Sequence, residues 1–358
     1  MKCHPSLRCP TTKQPLRLAS SLEAAALRAR NPSAPPPIGA TPEVLLREDG
    51  QVAYPVVDDI PVLLAPEALR ASEWTSDLTD ARFAEAYSEM AFYNQVSQEL
   101  LGAIEDSDVY RFVKRIADLP AADRWDIERH RDAWLDADYD AAAQYECYLH
   151  MGDMRGRRFL QVGGKGTHAV KMLLAGAAEG WLTTPMLAEI RFGRALAGRF
   201  GVANRFFAVA SVCEESPLAD QCLDGVMASG CIHHSVTGLA LPEIARVLSP
   251  GGRFAAAEPW RTPLYAVGTK VFGKRERNVF CRPITPARSS PMDASFSAAR
   301  LVHHGALTRH PLLALNKLGL RLPLSWVYRV GCLDDSLASL VPGLRRAFGS
   351  SVAMLAVK

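Results

Sequence analysis

Three glycines, Gly163, Gly164 and Gly166, stand between a short apolar run, Phe159–Val162, and a segment with helical spacing that begins at His168. Glycine lets a backbone approach a ligand closely, and the first turn of a helix presents free N–H groups. The pattern predicts a strand, a turn and a helix that together hold a nucleotide-like ligand. It does not satisfy the GxxxxGK[ST] spacing of a phosphate-binding loop.

A histidine pair and a carboxylate follow two further apolar runs. His233 and His234 come after the run 225–229, and Glu258 ends the run 253–258. In open parallel sheets, ligands bind at the carboxyl ends of the strands. Either histidine could therefore take a proton from a substrate hydroxyl, with Glu258 positioning the acceptor. The alternative is that all three side chains only pack at the strand ends.

The elements that must position these residues alternate between strand and helix. This alternation predicts an α/β fold with a doubly wound, mostly parallel, seven-stranded sheet. The expected strands are Phe159–Val162, Gly180–Thr183, Phe206–Ala210, Gly225–Ser229, Arg253–Glu258 and a final strand at Ser350–Val357. The expected helices between them are His168–Ala177, Pro185–Phe200 and Leu241–Leu248.

The rest of the chain divides into two parts by composition. Residues 1–70 are expected to form a small β-rich module, because the apolar runs Val44–Arg47 and Val52–Val57 flank a Glu-Asp-Gly turn typical of a hairpin. Residues 71–150 show helical spacing and are expected to form a cap. Residues 151–358 then form the main domain, with a lid at about 262–348.

Composition and charge exclude several functional classes. The chain has 358 residues and a formal net charge of +3, without a long basic run, so a nucleic-acid partner is not expected. It has no apolar run of about 18 residues and its first residues lack a secretion signal, which predicts a cytoplasmic protein without a membrane partner. A homodimer is compatible with this composition.

Four motifs in a fixed order resemble a known family. After the glycine turn come LTTPML at 182–187, Leu223-Asp224, the histidine pair, and the Leu-Ser-Pro-Gly-Gly turn at 248–252. This order resembles the class I S-adenosylmethionine (SAM) methyltransferases, particularly the small-molecule, quinone-methyltransferase-like type. The resemblance implies a Rossmann-like methyltransferase that uses SAM as cofactor, transfers a methyl group to a small-molecule acceptor, and serves small-molecule biosynthesis.

The resemblance also implies a set of site residues. The expected cofactor-binding residues are Gln161, Gly163, Gly164, Gly166, Thr183, Ser211, Val212, Ser229 and Gly230. The expected substrate-binding residues are Tyr87, Tyr93, Trp260 and Arg261, and the expected catalytic residues are His233, His234 and Glu258. Three positions depart from the family pattern, because acidic residues are usual where this chain has Gln161, Leu182 or Thr183, and the run Ala210-Ser211-Val212.

These departures keep two rivals open. Binding of SAM by uncharged side chains could serve a reaction with a non-methyl outcome. The chain could instead be a catalytically inactive, methyltransferase-like scaffold or binding protein. The retained glycine turn and histidine pair favour a working pocket.

The first module has a resemblance of its own. LRCPTTKQPLRLA at 7–19 and QVAYPVVDDIPVLL at 51–64 look like the small zinc-ribbon activator of methyltransferases. A structural zinc site needs four ligands, and this module offers only Cys3 and Cys9. The sequence therefore predicts a zinc-ribbon-like module without zinc, and no metal site.

Overall fold

The computed structural model describes residues 3–74, 84–137, 140–263, 265 and 282–358, with positions 84–88 described by their backbone alone. These residues form a small antiparallel sheet near the N-terminus and a larger, mixed sheet flanked by helices. No helix in this part of the chain is long and apolar enough to cross a membrane.

The N-terminal sheet has five strands and one helix beside it. They are β1 Leu16–Leu18, α1 Ser21–Arg30, β2 Val44–Arg47, β3 Val52–Val57, β4 Ile60–Pro61 and β5 Leu69–Arg70. Strands β2 and β3 are antiparallel and have the predicted bounds, so the hairpin is confirmed. Its turn is closed by Asp49, whose Oδ1 accepts from Gln51 N–H at 2.9 Å, and by Gly50 at φ +71°.

The two cysteines of this module have partners in the protein. Cys9 Sγ lies 3.3 Å from both Tyr54 Oη and Thr11 Oγ1, and Cys3 Sγ donates to Leu16 O at 3.2 Å. Burial raises the pKa of Cys9, but hydrogen bonds with Thr11, Thr12 and Tyr54 outweigh burial and lower the pKa to about 7. Among the described residues there is no group of three or more potential metal ligands. The absence of zinc remains a prediction.

The larger sheet has seven strands, in the order β11-β12-β10-β9-β6-β7-β8. All neighbouring strands in it are parallel except β12, which is antiparallel to both β10 and β11. Their bounds are β6 Arg158–Val162, β7 Glu179–Thr184, β8 Phe206–Ala210, β9 Leu223–Ser229, β10 Leu248–Pro259, β11 Ala298–His304 and β12 Ser351–Val357. The predicted mostly parallel, seven-stranded sheet is therefore present.

The helices lie before, between and after these strands. Their bounds are α2 Ala84–Leu101, α3 Asp108–Ala117, α4 Arg131–Trp134, α5 Ala141–Met151, α6 Thr167–Leu174, α7 Leu187–Arg199, α8 Thr237–Val247, α9 Pro286–Ser289, α10 Pro291–Ser295, α11 Arg309–Lys317, α12 Leu324–Ser339 and α13 Leu344–Phe348. Helices α6, α7 and α8 connect parallel strands and occupy the predicted places.

Strand β11 lies within the stretch 262–348 that the sequence predicts to be a lid. It pairs with β12 along its whole length, from Ala298 opposite Val357 to His304 opposite Ser351. The strand was missed because it reads AARLVHH, where arginine and histidine interrupt the apolar pattern. At least these seven residues belong to the sheet rather than to a separate lid.

The N-terminal module covers the outer edge of β8. Leu63 N–H donates to Ala210 O at 2.8 Å, and Ala219 N–H donates to Ser6 O at 2.8 Å. An exposed edge strand offers unpaired N–H and C=O groups to other chains. The module removes part of that hazard by pairing with the end of the edge strand.

A buried polar network lies beneath the start of α6. Lys171 is fully buried, and its Nζ donates to Asp136 Oδ2 at 2.7 Å and to Trp134 O at 2.8 Å. His168 Nδ1 lies 2.6 Å from Tyr148 Oη. The network joins α6 to α5 and to the chain around residue 135, and so fixes the turn that precedes α6.

His168 makes this network sensitive to acid. Burial lowers the pKa of His168 to about 4, while Asp136 opposes that shift and Lys171 adds to it. Between pH 6.5 and 4 the unfolded chain therefore binds more protons at this histidine than the folded protein does. The stabilisation from neutral, buried His168 is fully present above pH 6.5 and is lost as the pH falls to 4. We expect the loss to reach about 3 kcal/mol. Denaturant unfolding across this pH range should show a steep decline that His168→Gln flattens.

The control is His130→Gln, at a half-buried position outside the network, which should keep the wild-type pH dependence. Equal slopes for His168→Gln and the wild type would contradict this role of His168.

Candidate functional site

The site lies where the chain reverses its direction across the sheet. From β6 the chain moves outward to β7 and β8, and then returns to place β9 on the other side of β6. The carboxyl ends of β6 and β9 therefore diverge into loops on opposite sides, which is where open parallel sheets bind ligands. The predicted glycine turn follows β6, and the predicted histidine pair follows β9.

The glycine turn packs directly against the loop that follows β9. Gly163, Gly164 and Gly166 have φ values of +72°, +72° and +83°, which other residues rarely adopt. A Cβ atom on Gly163 would lie 2.3 Å from Cys231 Sγ. The turn is held from the other side by Gly163 N–H, which donates to Thr183 O at 2.7 Å.

Gln161 holds this turn through hydrogen bonds within the protein. Its Nε2 donates to Gly163 O at 2.8 Å, and its Oε1 accepts from the N–H groups of His168 and Ala169 at 2.8 and 3.0 Å. Both ends of the amide are thus used, and the side chain is buried. The sequence predicts Gln161 to bind cofactor; in the protein its hydrogen bonds hold the glycine turn in place.

A carboxylate that the sequence analysis missed stands beside the same turn. Glu189, in the first turn of α7, is buried, and its Oε2 accepts from Thr184 Oγ1 at 2.7 Å. Burial raises the pKa of Glu189, while Lys165, Thr184 and the backbone of Gly164 oppose that rise. The strand end at Thr183 is neutral, as the sequence shows, but the following helix brings an acidic group next to it.

The end of β8 contributes a buried hydroxyl. Ser211 N–H donates to Thr184 O at 3.2 Å, which places Ser211 beside the end of β7. Ser211 Oγ is buried and has no hydrogen-bond partner among the described residues. Val212, the next residue, is buried as well. An orphaned hydroxyl at this edge suits a ligand that brings its own polar group.

Glu258 organises the loop after β9. Its Oε1 accepts from Cys231 N–H at 3.0 Å and from Ile232 N–H at 2.8 Å, and its Oε2 accepts from His233 N–H at 3.3 Å. Oε2 also lies 2.7 Å from His233 Nδ1. Since a carboxylate accepts hydrogen bonds, this contact favours the tautomer with a proton on Nδ1, which makes Nε2 the basic nitrogen.

A second histidine–carboxylate pair lies next to the first. The rings of His233 and His234 are 4.0 Å apart between centroids. His234 Nδ1 lies 3.0 Å from the carboxylate of Glu89, which is buried on α2. Tyr93, also on α2, meets the His234 ring edge-on at 6.2 Å. The structure thus brings Tyr93 to the histidine pair, and it adds Glu89, which sequence reasoning missed.

The remaining predicted residues lie around this centre in different settings. Ser229 and Gly230 are exposed at the end of β9. Trp260 is buried, with its ring edge-on to His303 at 4.6 Å, and Arg261 is exposed. The side chain of Tyr87 falls outside the described residues.

The contact between Gly163 and Cys231 can be tested by adding one methyl group. Gly163→Ala should lower the free energy of unfolding by about 1–2 kcal/mol from backbone strain and by about 1–3 kcal/mol more from the clash. The matched control is Gly156→Ala, because Gly156 has φ +70° but nothing within 4 Å of an added Cβ. Cys231→Ala should relieve part of the excess in a double-mutant cycle. Equal losses at both glycines would contradict the close contact.

Comparison with known proteins agrees with a methyltransferase domain at this position. A family model described as "Methyltransferase domain" matches residues 164–256, from the glycine turn into β10. No curated protein matches the chain.

Two solved structures illustrate the level of similarity. Geranyl diphosphate C-methyltransferase from Streptomyces coelicolor A3(2), in complex with Mg2+, geranyl diphosphate and S-adenosyl-L-homocysteine, is 16% identical, with coverage of 61% of this chain and 76% of that chain and a TM-score of 0.41. The YcgJ protein from Bacillus subtilis is 15% identical, with coverage of 60% of this chain and 95% of that chain and a TM-score of 0.40. Similarity at this level does not identify a substrate. The matched segment, 164–256, is similar in sequence to a methyltransferase domain, and it contains most of the glycine turn and the whole histidine pair.

Proposed function

We propose that this chain is a SAM-dependent methyltransferase that acts on a small-molecule acceptor. The observation that carries the proposal is the position of the matched segment, 164–256, on the sheet. It spans the chain reversal between β6 and β9, where the glycine turn and the histidine pair face the same edge. S-adenosylmethionine is the cofactor that such a domain uses, and when bound it supplies a methyl group on a positively charged sulfur.

The residues at the edge of β6, β7 and β8 suit the adenosyl part of this cofactor. Gly164 and Gly166 give the turn its open, left-handed backbone. Glu189 provides a carboxylate for the ribose hydroxyls, and the orphaned Ser211 Oγ provides a polar contact at the next strand end. A buried carboxylate that accepts hydroxyl hydrogen bonds stabilises a bound diol by about 1.5–3 kcal/mol.

The residues after β9 and β10 suit the acceptor. His233, held by Glu258 through Nδ1, would take a proton from an acceptor hydroxyl at Nε2. His234, Glu89 and Tyr93 would line the adjoining space from the side of α2. Methyl transfer needs alignment and exclusion of water more than a strong base, so a cap formed by α2 is part of the proposal.

The proposal extends to the setting of the enzyme. The modest net charge of +3 supports a small-molecule substrate rather than nucleic acid. We place the enzyme in small-molecule biosynthesis in the cytoplasm, as a monomer or homodimer.

One observation favours a second candidate, the inactive scaffold. Cys231 Sγ closes the space directly beside Gly163, and the amide of Gln161 is hydrogen-bonded to the protein at both its nitrogen and its oxygen. These contacts leave less room for a ligand beside the glycine turn, as expected of a domain that no longer binds its cofactor. Cofactor binding separates the two candidates, and product analysis separates methyl transfer from a non-methyl outcome.

Calorimetry with SAM and S-adenosylhomocysteine tests the cofactor. We expect binding of both, and a loss of about 10- to 100-fold in affinity in Glu189→Gln, because the amide is a weaker acceptor for ribose hydroxyls. Glu67→Gln is the matched control, since burial raises the pKa of Glu67 too but it lies in the N-terminal module. Absence of binding in the wild type at millimolar ligand would support the scaffold instead.

Formation of S-adenosylhomocysteine, with catechol as the acceptor probe, tests the base. His233→Gln should lower the rate by about 100-fold or more, because general-base catalysis contributes that much, while SAM affinity stays unchanged. His130→Gln serves as the control. An unchanged rate in His233→Gln would show that this histidine only packs in the loop.

A further inference from the structure

Exposed apolar side chains are concentrated in one segment near the C-terminal end of the chain. Among the described residues, thirteen large apolar side chains are exposed, and ten of them lie between positions 307 and 348. The ten are Leu307, Leu318, Leu320, Leu322, Trp326, Leu333, Leu337, Leu340, Val341 and Phe348. We call residues 307–348 the apolar segment. A concentration of this kind marks an interaction surface rather than ordinary surface composition.

The apolar residues on α12 form one stripe beside the buried face. Trp326, Leu333 and Leu337 are seven and four residues apart, which places all three within about 40° of one another around the helix. The buried residues Val327 and Ala338 lie about 100° away and pack toward the protein. The helix is thus anchored by one face and presents a second apolar face outward.

The turn between α11 and α12 extends this surface. It reads KLGLRLP at 317–323, and its leucines Leu318, Leu320 and Leu322 are 75%, 60% and 43% exposed. Basic residues alternate with these leucines. A sequence that mixes leucine, tryptophan and basic residues is typical of segments that lie in a membrane interface.

The exposed charge of the apolar segment is positive. It contains six basic residues and two acidic ones, Asp334 and Asp335. Both acidic groups are used internally, because Asp334 accepts from the N–H groups at the start of α11 and Asp335 pairs with His304 and Arg345. Arg321 meets Asp108 of α3 at 2.9 Å.

Three basic side chains of the apolar segment are available to an external anionic partner. Lys317, Arg329 and Arg346 are exposed, and within the part of the chain that the structure describes none of them has an acidic partner. Near an anionic membrane each such side chain strengthens binding by about 1 kcal/mol. Two copies of the chain meeting through this face would instead bring like charges together.

We propose that the apolar segment docks the protein onto an anionic lipid surface, with its leucines and Trp326 in the interface and its basic side chains at the headgroups. This contact lies on the surface and requires no membrane-spanning helix. It departs from the sequence-based expectation of no membrane partner. That expectation was based on the lack of an apolar run long enough to span a membrane, whereas docking on a membrane surface needs no such run.

The docking face lies on the acceptor side of the candidate site. β11 runs parallel to β10, so His304 ends its strand at the same edge of the sheet as Glu258. His304 pairs with Asp335 of α12. If the proposed methyl transfer also holds, a membrane would lie next to the acceptor and an apolar acceptor could reach the site from it. The docking itself does not depend on that reaction.

Co-sedimentation of the full-length protein with lipid vesicles tests the proposal. The probes are vesicles of phosphatidylcholine alone and vesicles with about 30% phosphatidylglycerol, for which we expect binding only to the second kind, weakened by salt. Leu318→Ser with Leu320→Ser should reduce that binding by about tenfold or more. Leu18→Ser with Leu22→Ser, at exposed leucines of the N-terminal module, is the matched control.

Charge is tested separately from apolar contact. Arg329→Gln with Arg346→Gln should reduce binding to the anionic vesicles by about tenfold, whereas Arg30→Gln with Arg157→Gln should leave it unchanged. Lack of binding by the wild type, or binding that the apolar-segment variants leave intact, overturns the proposal. A dimer in sedimentation velocity that Leu318→Ser with Leu320→Ser converts to a monomer also overturns it, because the face would then join two copies. SAM affinity, measured in the same variants without vesicles, reports separately on the proposed function.

Discussion

The arrangement of the candidate site depends on the buried carboxylate of Glu258. It accepts three backbone N–H groups and contacts one imidazole, and so shapes the loop from Cys231 to His233. That shape places the Cys231 sulfur against Gly163 and presents His234 to α2. Hydrogen bonds to an ionised acceptor are about twice as strong as neutral ones, so one carboxylate can fix the whole loop. The glycine turn, the histidines and α2 are positioned relative to each other through this one group.

The neutral residue at the end of β6 has a structural reason. The position must donate to Gly163 O and also accept from two N–H groups of α6. An ionised carboxylate only accepts, whereas the amide of Gln161 does both. The acidic group near the turn is instead Glu189, supplied by α7. Two different side chains therefore serve this turn, because Gln161 shapes the loop and Glu189 places a carboxyl group beside it.

Sequence predicted the parts of the fold that depend on local pattern. The uninterrupted apolar run at 206–210 predicted the bounds of β8. Pro-Gly-Gly lies inside β10 and interrupts its pairing with β9, which becomes regular from Arg253, the predicted start of the strand. Strand β11 was missed because its edge position tolerates arginine and histidine.

Nothing in the local sequence pattern indicates the long-range contacts of the site. Glu89 reaches His234 across 145 positions, and only the packing of α2 brings them together. The sequence singled out His233 and His234 because they follow an apolar run, and Glu258 because it ends one. That Glu258 accepts from the loop N–H groups has no local signal, because it depends on how β9 and β10 are aligned in the sheet.

The way the first module meets β8 has a consequence for synthesis on the ribosome. Leu63 pairs with Ala210, which is synthesised 147 residues later. The sequence separation between Ser6 and its partner Ala219 is larger still. Domains otherwise tend to fold in the order in which they emerge. Here the earliest residues complete their contacts only after β6, β7 and β8, three of the seven strands of the large sheet, have been synthesised. Until then Leu63, which is buried in the folded protein, lacks the strand that covers it.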